Sequence, residues 1–289
     1  MLLAARLPLT RRTALPPHAY FVGSAVFHYL GPAFAVLLFA RVSPLGVAWL
    51  RIATAAAVFA LWRRPWRRLP RLDPRGLWLL AVFGTTLALM NSVFYLAIDR
   101  LPLGTVAAIV FLPVIVLAAL GVRTGRNAVA LVLAVAGVYV LAEVSLASDA
   151  LGFALAAANA ALFAVYVVLA HRVARSELLE PIDGLAVAML AAAVVVTPIG
   201  GPAVLHAVLD PVALAAGLGV GVASSVVPYV CDQLALARLS RATYSLLIAL
   251  LPATATVIGL AVLAQVPTPR DLAGVTLVVA AVAVHRETT

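Results

Sequence analysis

Ten apolar stretches, most of them close to 20 residues long and parted by short charged or Pro/Gly-rich gaps, leave this chain few ways to fold. The stretches are 19–39, 44–62, 76–97, 103–122, 128–145, 151–171, 183–200, 211–236, 241–264 and 271–285. About 20 apolar residues in helical form cross the hydrocarbon of a bilayer. Their apolar character is continuous rather than alternating, which argues against a barrel. At 65% hydrophobic and 11% charged residues, the chain is too apolar to satisfy a water-facing surface. The expected fold class is an all-α polytopic membrane protein with ten transmembrane helices. Met1–Pro17, with Arg6, Arg11 and Arg12, resembles a signal peptide's charged end. The run after it, Tyr20–Phe39, is long enough to span and shows no small-x-small cleavage site, so it reads as an uncleaved first helix.

Basic residues orient the spans. All 20 are arginine. If the N-terminus is cytoplasmic, Arg6, Arg11, Arg12, Arg63, Arg64, Arg67, Arg68, Arg71, Arg75, Arg123, Arg126, Arg172, Arg175, Arg238, Arg241 and Arg286 fall inside, and only Arg41, Arg100 and Arg270 fall outside. That asymmetry follows the positive-inside rule and predicts a plasma-membrane protein with both termini in the cytoplasm. Trp62, Trp66 and Trp78 flank the Arg-rich gap 63–75 and suit headgroup depth, with the arginines expected on anionic membrane lipids.

A segment recurs along the chain. Tyr95–Thr105 reads Tyr-Leu-Ala-Ile-Asp-Arg-Leu-Pro-Leu-Gly-Thr, and Gln233–Thr243 reads Gln-Leu-Ala-Leu-Ala-Arg-Leu-Ser-Arg-Ala-Thr. Each copy is followed by an apolar run holding one proline, Pro113 and Pro252. Five spans separate the copies, and an odd number turns the second upside down. The expected organisation is two inverted five-helix repeats, 1–147 and 148–289, around a central cavity, a plan that carriers use to build one site between their halves.

Several functions are excluded by what the chain lacks. Cys231 is its single cysteine, so no internal disulfide forms. No zinc-type Cys/His spacing or RNA-binding motif accompanies the net charge of +9, which argues against nucleic acid. No P-loop is present to couple ATP. No metal or cofactor is expected.

Candidate functional residues are the polar groups within spans. Pro113 and Pro252 are expected as matched helix breaks, since proline removes a backbone donor and clashes with the preceding turn. Asn91 and Tyr95 lie four apart on one helical face, as do Tyr229 and Gln233. His28, Asn159 and Tyr166 complete the candidate lining of a cavity for a small-molecule solute. Asp232 is an acid near the inner end of the eighth span, expected to bind an ammonium group or to take up a proton. Arg51 sits seven residues past Pro44, about 10 Å into its helix. It could meet a substrate carboxylate, but snorkelling to the outer headgroups is the preferred expectation. Gly217 and Gly221 form a small-xxx-small pair that permits close helix approach.

These residues resemble those of EamA-type carriers of the drug/metabolite transporter superfamily, in the threonine/homoserine-exporter branch. The resemblance is carried by Leu30-Gly31-Pro32, by Pro44-Leu45-Gly46-Val47-Ala48-Trp49-Leu50-Arg51, by Met90–Ile98 with Leu101-Pro102-Leu103-Gly104, and by Val227-Pro228-Tyr229 with Leu234–Leu239. It implies ten helices in two inverted halves and export of amino acids or other small metabolites. It also implies that Asp232 occupies the branch's acid position after Pro-Tyr. Val110, Leu251 and Gln265 stand where the family often has acids.

The leading expectation is a secondary carrier that exports small metabolites, amino acids foremost, by alternating access. Efflux of apolar or cationic drugs is the alternative within transport. An intramembrane lipid-modifying enzyme is the alternative outside it. His171 with Glu177 and Glu180 is the nearest approach to a catalytic cluster, and it reads as a solvated charged gap.

Overall fold

Proline opens six of the ten α-helices found among the described residues. A computed structural model describes residues 17–121, 124–175, 179–205, 209–228, 231 and 251–284. The helices are α1 (Pro17–Leu38), α2 (Pro44–Arg63), α3 (Pro74–Ile98), α4 (Leu103–Gly121), α5 (Gly125–Ser148), α6 (Ala150–Arg175), α7 (Pro181–Gly200), α8 (Pro211–Gly221), α9 (Leu251–Leu263) and α10 (Pro269–Val284). Proline suits a first helical turn because its missing N–H would have had no partner there and its φ is already helical. Ser43, Asp73 and Asp210 cap the helices that follow them by accepting backbone N–H groups. No strand occurs among the described residues.

α8 does not continue as one regular helix. It passes into a π-helical turn, Val222–Val226, where the sequence led to expect an unbroken run. By length and composition, α2, α3, residues 150–170 of α6 and residues 182–200 of α7 suffice to cross a membrane. Val132, Tyr139, Val194, Val212 and Val257 are exposed, an apolar perimeter suited to lipid.

Small residues let the helices approach. A Cβ on Gly217 would meet Leu50, and one on Gly221 would meet Thr54, so the small-xxx-small face of α8 packs on α2 as expected. Tyr95, Leu50, Ile98, Val106 and Val220 share one buried core, and Phe59, Leu80, Leu87, Met189 and Val196 share a second. Among neighbouring helices, α3 packs on α6 and α7, α2 on α7 and α8, α1 on α8 and α9, and α4 on α6 and α9, while α5 lies along α10.

Ion pairs gather the gaps into two sets. Arg41 meets Asp210 at 2.9 Å and Arg100 meets Asp149 at 3.0 Å. At other gaps, Arg63 holds Asp183 at 2.7 Å and Glu180 at 3.1 Å, and Arg68 reaches Asp183 at 3.4 Å. Asp183 is 2% exposed. Arg63 and Arg68 are therefore bound to a buried acid at the start of α7. Trp62, Trp66 and Trp78 are exposed.

Candidate functional site

α2 carries Arg51 inward. Its side chain is 5% exposed, which corrects the snorkelling expectation: the guanidinium turns toward the protein instead of climbing to the headgroups. Nε donates to Ser225 Oγ at 2.9 Å, and Nη2 donates to the Ser224 carbonyl at 2.9 Å. Both partners belong to the π-helical turn. The guanidinium carbon also lies 5.6 Å from the centroid of the Tyr95 ring, within cation–π range. Among the described residues no carboxylate lies within ion-pair distance of Arg51.

Tyr95 is fully buried. Its ring packs edge-on against Phe39 and Phe94, while its hydroxyl has no hydrogen-bond partner among the described residues. Ser224 Oγ and Asn159 Oδ1 are likewise buried without partners among the described residues. α1 closes over this region at Gly31, where any Cβ would collide with Ser224. Asn159 is flanked on α6 by Ala156 and Ala160, which belong to the same core as Tyr95. A buried polar atom without a partner typically costs ~1–3 kcal/mol. Three among the described residues therefore call for a reason.

The other sequence candidates fall out variously. Asn91 is buried on α3, but its amide donates to the Leu87 carbonyl of its own helix at 2.7 Å. Tyr166 lies in the second core, stacked on Phe83 and Phe163. His28 sits on α1 with its Nδ1 3.4 Å from Ser24 Oγ, and that hydroxyl donates to the Pro228 carbonyl at 3.4 Å. Tyr229, Asp232 and Gln233 lie outside the described residues, as does the second copy of the repeat. Pro113 does not break its helix: α4 runs from Leu103 to Gly121 through it. The break expected at Pro113 is instead a proline carried inside a continuous helix, which membrane helices tolerate where neighbouring helices re-satisfy the freed backbone groups. Pro252 lies in α9, and its carbonyl accepts from Thr256 Oγ1 at 3.0 Å. In the charged gap considered for catalysis, Glu180 is engaged by Arg63, while Glu177 and the His171 side chain lie outside the described residues. No metal-binding cluster occurs among the described residues.

A cavity of about 150 Å³ lies elsewhere, lined by Thr105, Thr256, Gln265 and Asp271 among others. Gln265 Oε1 accepts the Leu103 N–H there at 3.0 Å. None of its lining residues belongs to the cluster around Arg51. That cluster is closed, with Tyr95 and Ser224 at 0% exposure.

Known proteins match along nearly the whole chain. Residues 150–285 fit the EamA-like transporter family. The threonine/homoserine exporter RhtA of Escherichia coli is 32% identical over 266 residues, covering 87% of this chain and 84% of that protein. The Salmonella typhimurium exporter of the same name is 31% identical over 265 residues, with the same coverage. The chain belongs to the EamA-like transporter family. Membership on the threonine/homoserine-exporter-like branch makes it a membrane transporter rather than an enzyme. A crystal structure 20% identical to this chain aligns with a TM-score of 0.57, over 92% of this chain and 97% of that one, and this likeness concerns the fold alone.

Proposed function

We propose that this EamA-like protein is a secondary carrier of the plasma membrane that exports small amino acids, threonine- or homoserine-like, by alternating access. The observation that carries the reading is the buried polar cluster of Arg51, Tyr95 and Ser224, in which residues from both halves of the chain meet with no carboxylate of the described residues at ion-pair distance. A charged group inside a membrane protein is costly and is kept where it lines a solute path or finds a partner. The names of its exporter relatives point to the same substrate class.

The architecture behind this reading is ten spans in two inverted halves, 1–147 and 148–289, with both termini cytoplasmic. Helix neighbours support it by exchanging under a shift of five: α1 beside α9 answers α6 beside α4, and α2 beside α8 answers α7 beside α3. The helices α5 and α10 would then meet on the symmetry axis. Their contact is reciprocal there, since a Cβ on Gly137 meets the Gly274 carbonyl at 2.9 Å and one on Gly274 meets the Gly137 carbonyl at 3.1 Å. His28, Asn159 and Asp232 are further residues of the solute path in this reading, and Asp232 is its candidate proton carrier.

Counterflow tests the function. Proteoliposomes preloaded with unlabelled threonine or homoserine should accumulate the labelled amino acid transiently. Absence of exchange across a panel of amino acids, with monodisperse and correctly inserted protein, would overturn the assignment.

A further inference from the structure

We infer that Arg51 is a carboxylate-binding residue, so that the solute this carrier takes bears a free carboxylate and is a zwitterion rather than an amine or a cationic drug. The inference rests on the carrier reading and deepens it by naming the residue that recognises the carboxylate of the solute.

Its first support is charge. Arg51 is the one buried arginine among the described residues, and no described carboxylate neutralises it. The buried acid Asp183, by contrast, is met by both Arg63 and Arg68. Taking an ion out of water costs several kcal/mol after relaxation, and neutral hydroxyl and carbonyl partners return only part of it. The missing counter-charge is an anion.

Geometry is the second support. A guanidinium has five N–H donors in a planar fork suited to a carboxylate. Here Nε and Nη2 bond to the π-helical turn, and Nη1 bonds to no described residue. Two of the three partnerless buried side-chain atoms among the described residues belong to residues that touch Arg51, Tyr95 and Ser224. Each is a hydroxyl able to donate to a carboxylate. The third, Asn159 Oδ1, is an acceptor, the complement of an ammonium group. The donors at the Arg51 cluster suit the carboxylate end of an amino acid.

Third, Ser224 and Ser225 sit on π-helical backbone, a local departure from the regular ladder that recurs at functional sites. Arg51 is bonded to this turn, and an arriving carboxylate would compete with Ser225 Oγ and the Ser224 carbonyl for the same fork. Solute binding would then loosen α2 from α8. A purely structural strut would hold these helices together and be indifferent to the solute.

The test uses full-length protein reconstituted in proteoliposomes, with thermal shift in detergent beside it. The probes are L-threonine, L-threonine amide and threoninol, which share a side chain while only the first has a carboxylate. The wild-type protein should be stabilised by threonine and exchange it, with the amide and threoninol weaker by about tenfold or more. Arg51→Gln should abolish that preference, and Arg51→Lys, which keeps the charge without the fork, should retain part of it. If Arg51→Gln does not fold, the wild-type preference and Arg51→Lys decide. Equal exchange of threonine and its amide by the wild type overturns the inference and leaves the carrier standing. The same holds for a folded Arg51→Gln protein that prefers threonine as strongly as the wild type. No exchange of any solute by the wild type overturns the carrier reading itself.

Discussion

Arg51 shows where a sequence stops informing at the scale of one residue. That an arginine lies within the second span is evident from its place seven residues past Pro44. Its direction is not, because a long side chain on a spanning helix can climb to water as easily as turn inward. Packing decides: Gly217 and Gly221 bring α8 against α2 at Leu50 and Thr54, and the π-helical turn then offers Arg51 its acceptors. Tyr95 was legible as a polar ring on a candidate face, whereas Asn91 on the same face spends its amide on its own helix. Spacing alone does not separate a residue that lines a path from one that satisfies its own backbone. Ser225→Ala removes the acceptor of Arg51 Nε and leaves part of a buried cation unpaired. The expected loss is about 1–3 kcal/mol, to be measured as a drop in unfolding temperature in detergent against wild type. An unchanged midpoint would mean that Ser225 contributes nothing to holding the guanidinium.

Elements were legible to within a few residues, and most of the early starts share a cause. Six helices begin earlier than their apolar runs, four of them at a proline, Pro17, Pro74, Pro181 and Pro269. Hydropathy does not register a proline at the first helical position, although it marks the start physically. The π-helical turn was not legible, because Val-Ala-Ser-Ser-Val carries no signal that separates π from α. Helix starts also supply a pH dependence. Asp149 accepts the Gly152 N–H and pairs with Arg100; the backbone bond first and Arg100 second hold its carboxyl below the ordinary aspartate range. Asp210 is held low by the Ala213 N–H and then by Arg41. A pKa lower in the folded than in the unfolded protein gives stability that is present above the unfolded value and lost as pH falls through the folded one. The thermal midpoint should therefore decline below about pH 4, and the Asp149→Asn/Asp210→Asn protein should decline less over that window. Equal declines in the two proteins would remove these carboxylates as the source. Along α5 and α10, Gly137→Leu should cost about 1–3 kcal/mol, because the added side chain meets the Gly274 carbonyl and Val278. Unaltered unfolding would show that the seam opens freely.

For the whole molecule, the membrane class follows from composition and span length, because surplus apolar surface has no stable place in water. The inverted halves are a finer claim, and the ion pairs bear on it. With ten spans, the gaps bearing Arg41, Arg100, Asp149 and Asp210 all fall on one side, and those bearing Arg63, Arg68, Glu180 and Asp183 on the other. Each observed ion pair joins gaps that this alternation places together. Adding or removing one helix would reverse every later gap and set Arg41 against an Asp210 across the bilayer. A labelling experiment follows. In a Cys231→Ser background, cysteines at positions 100 and 270 should react with an impermeant thiol reagent from the side opposite to cysteines at 68, 126 and 238. Positions 100 and 238 carry the decisive comparison, since they are matched arginines of the two repeat copies. An odd number of spans between the copies puts them on opposite faces, and an even number puts them on the same face. Labelling of both from one side would dissolve the inverted repeat, and with it the reason for placing a solute site where α2 and α3 of one half meet the π-helical turn of the other.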